Sequence, residues 1–167
     1  MIKLEPFEKA NFHQLISWID NEEHLMQFSG PAYTFPLTNQ QLLLNSEDKN
    51  KFSYKVIESA THLVIGDAEI HLNTKNIAIL CRIIIGEKNF RKQGLGQEIV
   101  KQLLHISFIG LACKKAELNV YDWNTDAIRC YKKAGFTLNQ LKTRKQVVNN
   151  KTWTVLNMNI DKNKWKN

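Results

Sequence analysis

Apolar residues recur along this chain with two periods, and the switches between them divide it into elements. Ile2–Phe7 alternates and predicts a short strand. Phe12, Leu15, Ile16 and Ile19 repeat at helical spacing, with Asn11 placed to cap. Gly30 and two prolines make residues 29–37, "SGPAYTFPL", a loop. Thr38 then caps a helix carrying Leu42, Leu43 and Leu44. From Phe52 the period shortens to that of strands, in "KFSYKVIES", in "HLVIGDAEIHLN" and, after the short polar "TKN", in "IAILCRIIIG". The last is almost continuously apolar and β-branched, the mark of a central strand covered on both faces.

The helical period returns from Gly94 to Ile109. Leu95, Ile99, Leu103 and Ile106 form one stripe with Val100 and Leu104 beside it, and Gly110 ends the helix. "KKAELNVYDW" predicts another strand, Asn124 caps the helix "TDAIRCYKKA", and Gly135 stands where a C-terminal glycine belongs. The remainder reads as two strands joined at "VNNK". The order is mixed α/β of the α+β kind and too irregular for a doubly wound fold. With no repeat, low-complexity stretch or Gly/Ser linker, residues 1–167 read as a single domain.

Composition narrows the classes. Hydrophobic residues make up 43% and charged residues 23%, near globular averages. No apolar run approaches the roughly 20 residues of a membrane span, and "MIKLEPFEKA" does not read as a signal peptide. A membrane partner is not expected. Cys81, Cys113 and Cys130 are odd in number and widely spaced among apolar neighbours. That argues against a disulfide framework and a metal site, makes them buried filler, and predicts a reducing, cytoplasmic setting. The net charge of +7 favours anionic partners: nucleic acid, an acidic surface or a phosphorylated cofactor. There is no basic stripe interleaved with aromatics, so nucleic acid is not expected. Part of the excess lies in "DKNKWKN", which reads as a solvated tail.

The most unusual stretch is "KNFRKQGLGQEIV", between the long apolar strand and the amphipathic helix. A helix start exposes backbone N–H groups and the positive end of the dipole, and glycines let a ligand approach them. A P-loop is excluded because neither glycine is followed by Lys, and the dinucleotide fingerprint fails because Ile99 stands at its third glycine. Arg91-x-x-Gly94-x-Gly96, in this setting, resembles the pyrophosphate motif of the GCN5-related N-acetyltransferases (GNAT). "N-x-x-A-I-x-x-Y-x-x-x-G-F", running from Asn124 to Phe136, resembles that family's second half. "SF", a Gly-Leu and "KKAELNV" are similar to its ribosomal-protein N-terminal acetyltransferase branch. The resemblance spans about residues 77–136, the expected cofactor-binding core.

The resemblance implies a mostly antiparallel central sheet of six or seven strands, flanking helices and a splayed central strand pair. It implies acetyl-CoA as cosubstrate, with no metal. The pyrophosphate would lie over Arg91, Lys92, Gln93, Gly94, Leu95 and Gly96, and the pantetheine arm beside Ile83, Ile84 and Ile85, with Asn124 touching the cofactor. Tyr131 matches the family tyrosine that protonates the departing thiolate, against a reading as a core tyrosine. Transfer would go by direct attack, the cysteines being too apolar in setting to serve as nucleophiles. The acceptor is an amine, either a protein N-terminus, as the branch suggests, or a small molecule such as a polyamine, amino sugar or amino acid. An inactive acetyl-CoA-binding module is a further alternative, and monomer and dimer stay equally open.

For the general base, "DAEIHLN" puts Asp67, Glu69, His71 and Asn73 on one strand face. That face is either solvated or the wall of the acceptor cleft, where Glu69 and then His71 are the candidates. Arg82 is a charge inside an apolar strand. One antiparallel register sets it opposite Glu69, which would tie up that carboxylate, and a shift by one residue moves it to the Ala68 side. Phe28, Tyr33, Phe35, Pro31 and Pro36 are candidates for the acceptor wall, with Glu22, Glu23, Glu47 and Asp48 as nearby acids.

Overall fold

Seven strands form one mixed sheet in the order β1-β2-β3-β4-β5-β7-β6 in the structure, a computed structural model that describes residues 1–166. The strands are β1 Ile2–Pro6, β2 Lys51–Glu58, β3 Val64–Leu72, β4 Ala78–Ile85, β5 Lys115–Tyr121, β6 Thr137–Val148 and β7 Lys151–Asp161. All neighbours pair antiparallel except β4 and β5, whose parallel contact is made by the crossover through α4 (Leu95–His105). The six or seven mostly antiparallel strands expected from sequence are seven.

Helices cover both faces. α4 buries Leu95, Ile99, Val100, Leu103 and Leu104 against one face, with α5 (Thr125–Lys133) beside it. α4 is shorter than its apolar stripe predicts, because residues Ile106–Gly110 widen into a π-type turn in which Ser107 Oγ donates to the Leu103 carbonyl. On the other face α1 (Phe12–Ser17), α2 (Glu22–Ser29) and α3 (Asn39–Ser46) close a second core around Phe12, Leu15, Trp18, Leu25, Phe28 and Leu42. α2 is absent from the sequence reading. Its Asn21 side chain caps His24 N at 2.8 Å, and Glu22 and Glu23 sit favourably in the first turn.

Local signals explain most of the other ends. Thr38 caps Gln41 N, and Asn124 caps Ala127 N at 3.3 Å, as expected. Asn11 instead accepts from Glu8 N, one step earlier than the cap expected of it. The turn at "VNNK" holds Asn149 and Asn150 at φ +47° and +61°, the paired left-handed conformation of a two-residue hairpin. Two residues near the C-terminus, Lys162 and Trp165, hold to the fold although the lysines there are exposed, as a solvated segment requires. Trp165 packs 5.4 Å from Phe108, and Lys162 Nζ donates to the Phe108 carbonyl at 2.7 Å.

Candidate active site

The β4–α4 corner offers backbone rather than side chains. Arg91 turns back, donating from Nε to the Ile85 carbonyl at 2.8 Å and from Nη2 to the Gly86 carbonyl at 3.0 Å. It therefore ties the loop to the end of β4, a more structural part than the attraction expected of it. Lys92 and Gly94 have φ of +60° and +79°, which curls the chain so that, among the described residues, the N–H groups of Lys92, Gln93, Gly94, Leu95 and Gly96 find no backbone carbonyl. Those donors, with the helix dipole behind them, form an anion-binding concavity. A Cβ at Gly94 would meet nothing within 4 Å, and one at Gly96 only Cys130 Sγ at 3.9 Å. The space above the glycines is unused by the protein's own packing, and an anionic group fits the donors that surround it.

The sheet opens next to this corner. β4 and β5 pair only at Ala78 with Ala116, Ile79 with Glu117 and Leu80 with Leu118. β4 then carries a bulge against β3: Glu69 faces Cys81 and Asp67 faces Ile84, so Ala68 is opposed by two residues. Arg82 takes up the extra length at φ +52°. A bulge bends the strand that carries it, and β4 and β5 part just here. The edges of Ile83–Ile85 and Asn119–Tyr121 face one another without a strand between them, so their backbone polar groups need other partners. This is the splayed central pair.

A cleft fills the gap. Its outer part, about 810 Å³, runs from Gly94 and Gly96 along Ile83–Ile85 to Tyr131. Its inner part, about 250 Å³, continues between Arg82–Ile84 and Asn119–Tyr121, under α2 and the β6 residues Arg144 and Gln146. His24, Gln27, Ile83, Ile84, Asn124, Ala127 and Tyr131 line both parts and so mark the junction. Every residue expected at the cofactor site except Gln93 lines the cleft; Gln93 donates instead to the Asn89 carbonyl at 2.7 Å. Burial holds the Tyr131 phenol above the ordinary tyrosine range, with Cys130 and Cys81 adding to it, so the ring is uncharged at neutral pH. Cys81 is likewise pushed up to about 12 by burial, which keeps it a thiol. Of the three cysteines Cys113 is fully buried; Cys81 and Cys130 are half-buried, Cys81 lining the inner part of the cleft and Cys130 the outer.

His24 is the residue that the sequence reading missed. It reaches the junction from α2, more than a hundred positions before Tyr131. Its Nδ1 lies 3.5 Å from the Asp20 N–H and 3.8 Å from Asp20 Oδ2, which turns Nε2 away from Asp20. Burial lowers its pKa below the ordinary histidine value; Asp20 opposes this and Arg91 adds to it. The only sequence signal was the Asn21-Glu22-Glu23 helix start, with Leu25 and Phe28 at helical spacing after it.

The polar face of β3 is neither solvated nor part of the cleft. α1–α3 cover it, leaving Asp67 and Glu69 3% and 1% exposed. The bulge places the Arg82 guanidinium against Glu69 Oε1 in a buried ion pair, reached by neither register considered above. Glu69 Oε2 accepts from Asn45 Nδ2 at 2.7 Å and Ser53 Oγ at 2.8 Å. Its lone pairs are taken, and it does not line the cleft, so Glu69 and Tyr131 are not brought together. His71 also falls away from the junction, paired across the sheet with Lys51 and Ile79. Asp67, buried beside Glu69, is held well above the usual carboxylate range by desolvation, and its Oδ1 has no partner. Tyr33 stacks under Arg82 at 5.0 Å, Phe28 and Pro31 line the inner cleft, and Phe35 is exposed. Of the four acids near that wall none lines the inner cleft: Glu23 pairs with Lys151 and Asp48 with Lys51.

Among the described residues no group of three metal-ligating side chains comes together, and no helix is long and apolar enough to cross a membrane. The family model for the acetyltransferase (GNAT) domain matches residues 2–137. Spermidine N-acetyltransferase from Vibrio cholerae, solved with CoA and spermine, superposes with a TM-score of 0.83 at 22% identity, covering 99% of this chain and 98% of that one. The same enzyme in a dodecameric, intermediate state gives 0.78 at 20% identity over 98% and 95%.

Proposed function

The chain belongs to the GNAT acetyltransferase family, and from that premise we propose that it acetylates a small primary amine, taken into the inner cleft behind the splayed strands. It is an acetyl-CoA-dependent N-acetyltransferase. The finer assignment to the ribosomal-protein branch has no support in the comparisons, whose similar structures are spermidine N-acetyltransferases. The observation that carries the small-acceptor reading is the inner cleft itself. At about 250 Å³, roofed by α2 and walled by β6, it has room for a small molecule.

Acetyl-CoA supplies an activated acyl group as a thioester, and the protein's residues do the rest. The N–H groups of Lys92–Gly96 hold the phosphates, and the free edge of Ile83–Ile85 offers backbone partners to the pantetheine amides. Tyr131, protonated and aimed at the junction, gives its proton to the departing thiolate. His24 accepts the proton that the ammonium form of the acceptor must lose, since only the neutral amine attacks. Cys81, held as a thiol, favours direct attack over an acyl-enzyme.

Two variants separate these roles. Gly96→Ala is expected to fold at least as well as wild type, because alanine is the better helix former by up to ~1 kcal/mol. The added methyl fills the phosphate concavity, so acetyl-CoA affinity should fall about 10–100-fold, or about 1.4–2.8 kcal/mol. Calorimetric titration reads the affinity and a thermal melt the stability. His24→Gln is expected to lower kcat about 100-fold. The depressed pKa puts the acid limb of the wild-type kcat/KM profile below the ordinary histidine range, with activity present above it and lost as pH falls through it. The variant lacks that limb, and a variant that keeps it would acquit His24. The reading as a whole is tested by following CoA thiol release over a panel of small amines and N-terminal peptides. Turnover confined to peptides would overturn the small-acceptor assignment.

A further inference from the structure

We infer that the acceptor carries a carboxylate as well as its amine, and that Arg144 is the residue that recognises it. This rests on the small-amine reading. Among the described residues, the side chains lining the inner cleft include two guanidiniums, Arg82 and Arg144, and no carboxylate. Arg82 is already neutralised by Glu69. Among the described residues Arg144 has no ion-pair partner, and its Nη1 makes only a long contact of 3.4 Å with Asn119 Oδ1.

The chain is built to put Arg144 there. β6 and β7 run in regular register from Thr137 to Asn139, but between Asn139, opposite Asn157, and Arg144, opposite Val155, β6 spends five steps against two. The excess of three residues is odd, so it reverses which face β6 presents from that point on. Directly paired residues share a face. Arg144 thereby joins Val155, and Gln146 is the next β6 residue on the same side; all three line the inner cleft. The displaced residues include Leu141, which is left 97% exposed. The anchor is also prepared. Buried Asn157 donates from Nδ2 to Asn119 Oδ1 at 3.1 Å and to the Leu118 carbonyl at 3.3 Å, fixing the acceptor atom that Arg144 touches.

Arg144 is exposed, and a guanidinium fork at the rim of the inner cleft matches one carboxylate in charge and in planar geometry. A polycation suits it poorly, because the charge already in the pocket repels it and no acid there compensates. Glu23 lies in the adjoining groove with Trp123 and Trp153 and is engaged by Lys151, and Asp126, which lines the outer part of the cleft, is engaged by Arg129. The acceptor chemistry of the spermidine enzymes therefore does not carry over to this pocket.

The test is a matched panel of glycine, β-alanine, their longer ω-amino homologues and α-amino acids, each beside its carboxamide, with spermidine added. The expected result is that at least one amino acid exceeds its carboxamide about tenfold or more in kcat/KM, the range of a charge-assisted hydrogen bond. Arg144→Ala should collapse that ratio about tenfold, and Arg144→Lys should restore part of it. Melting with acetyl-CoA present checks that both variants keep the fold. A wild-type preference for carboxamides or spermidine, or an Arg144→Ala variant that leaves the ratio unchanged, overturns the proposal while leaving the small-amine reading intact. No turnover of any panel member by an enzyme that binds acetyl-CoA overturns both.

Discussion

Replacing Tyr131 by phenylalanine lowers kcat by about 10²–10³, the range of a lost general acid, while acetyl-CoA affinity and the melting temperature stay close to wild type. Two features of the site drive this expectation. Tyr131 lines both the outer and the inner cleft, and its hydroxyl engages no hydrogen-bond partner among the described residues. Removing it therefore breaks nothing in the resting protein. The ring itself packs edge-on against Phe136 at 6.1 Å, a contact that phenylalanine keeps. A core tyrosine would behave in the opposite way, with unchanged turnover and altered stability. Steady-state kinetics with saturating acetyl-CoA, beside a thermal melt, separates the two.

Glu69→Gln produces the converse pattern: a loss of about 3–5 kcal/mol in stability, with kcat of the folded enzyme nearly unchanged. The carboxylate receives Arg82 and Cys81 on one oxygen and Asn45 and Ser53 on the other. An amide cannot accept on its nitrogen, and it leaves the Arg82 guanidinium, 8% exposed, without a counter-charge. Urea titration reads the loss. On heating, the same loss appears as a drop of roughly 6–20 °C for a domain of this size. A stable Glu69→Gln enzyme with kcat reduced 100-fold would reinstate Glu69 as the base and displace His24.

The residues that misled the sequence reading are those whose position depends on distant packing. The glycine corner, the Asn124 cap, the Asn149-Asn150 turn and the run of apolar β4 each carry their reason within a few neighbouring residues, and all were legible. Arg82 was recognised as a charge that needed a partner, but not how it reaches Glu69. A bulge changes register without changing composition, and alternation alone cannot reveal it. Asp67 and Glu69 alternate like a solvated face because their cover, the helices of residues 12–46, comes from another part of the chain. The same helices bring His24 to Tyr131. Arg144 depends on a second bulge, in a strand so polar that periodicity could not say which of its residues face inward. The proposed cofactor-binding features are thus local backbone devices, while the inner cleft is assembled from α2, β4, β5 and β6.

The central claim is that one cleft carries cofactor phosphates at Lys92–Gly96 and the reacting thioester at Tyr131. A crystal structure of the acetyl-CoA complex tests it most directly. The account predicts pyrophosphate density over the N–H groups of Lys92–Gly96, the pantetheine arm along Ile83–Ile85 and the sulfur beside the Tyr131 hydroxyl. A cofactor bound with its phosphates elsewhere, or with its sulfur turned away from Tyr131, would contradict it.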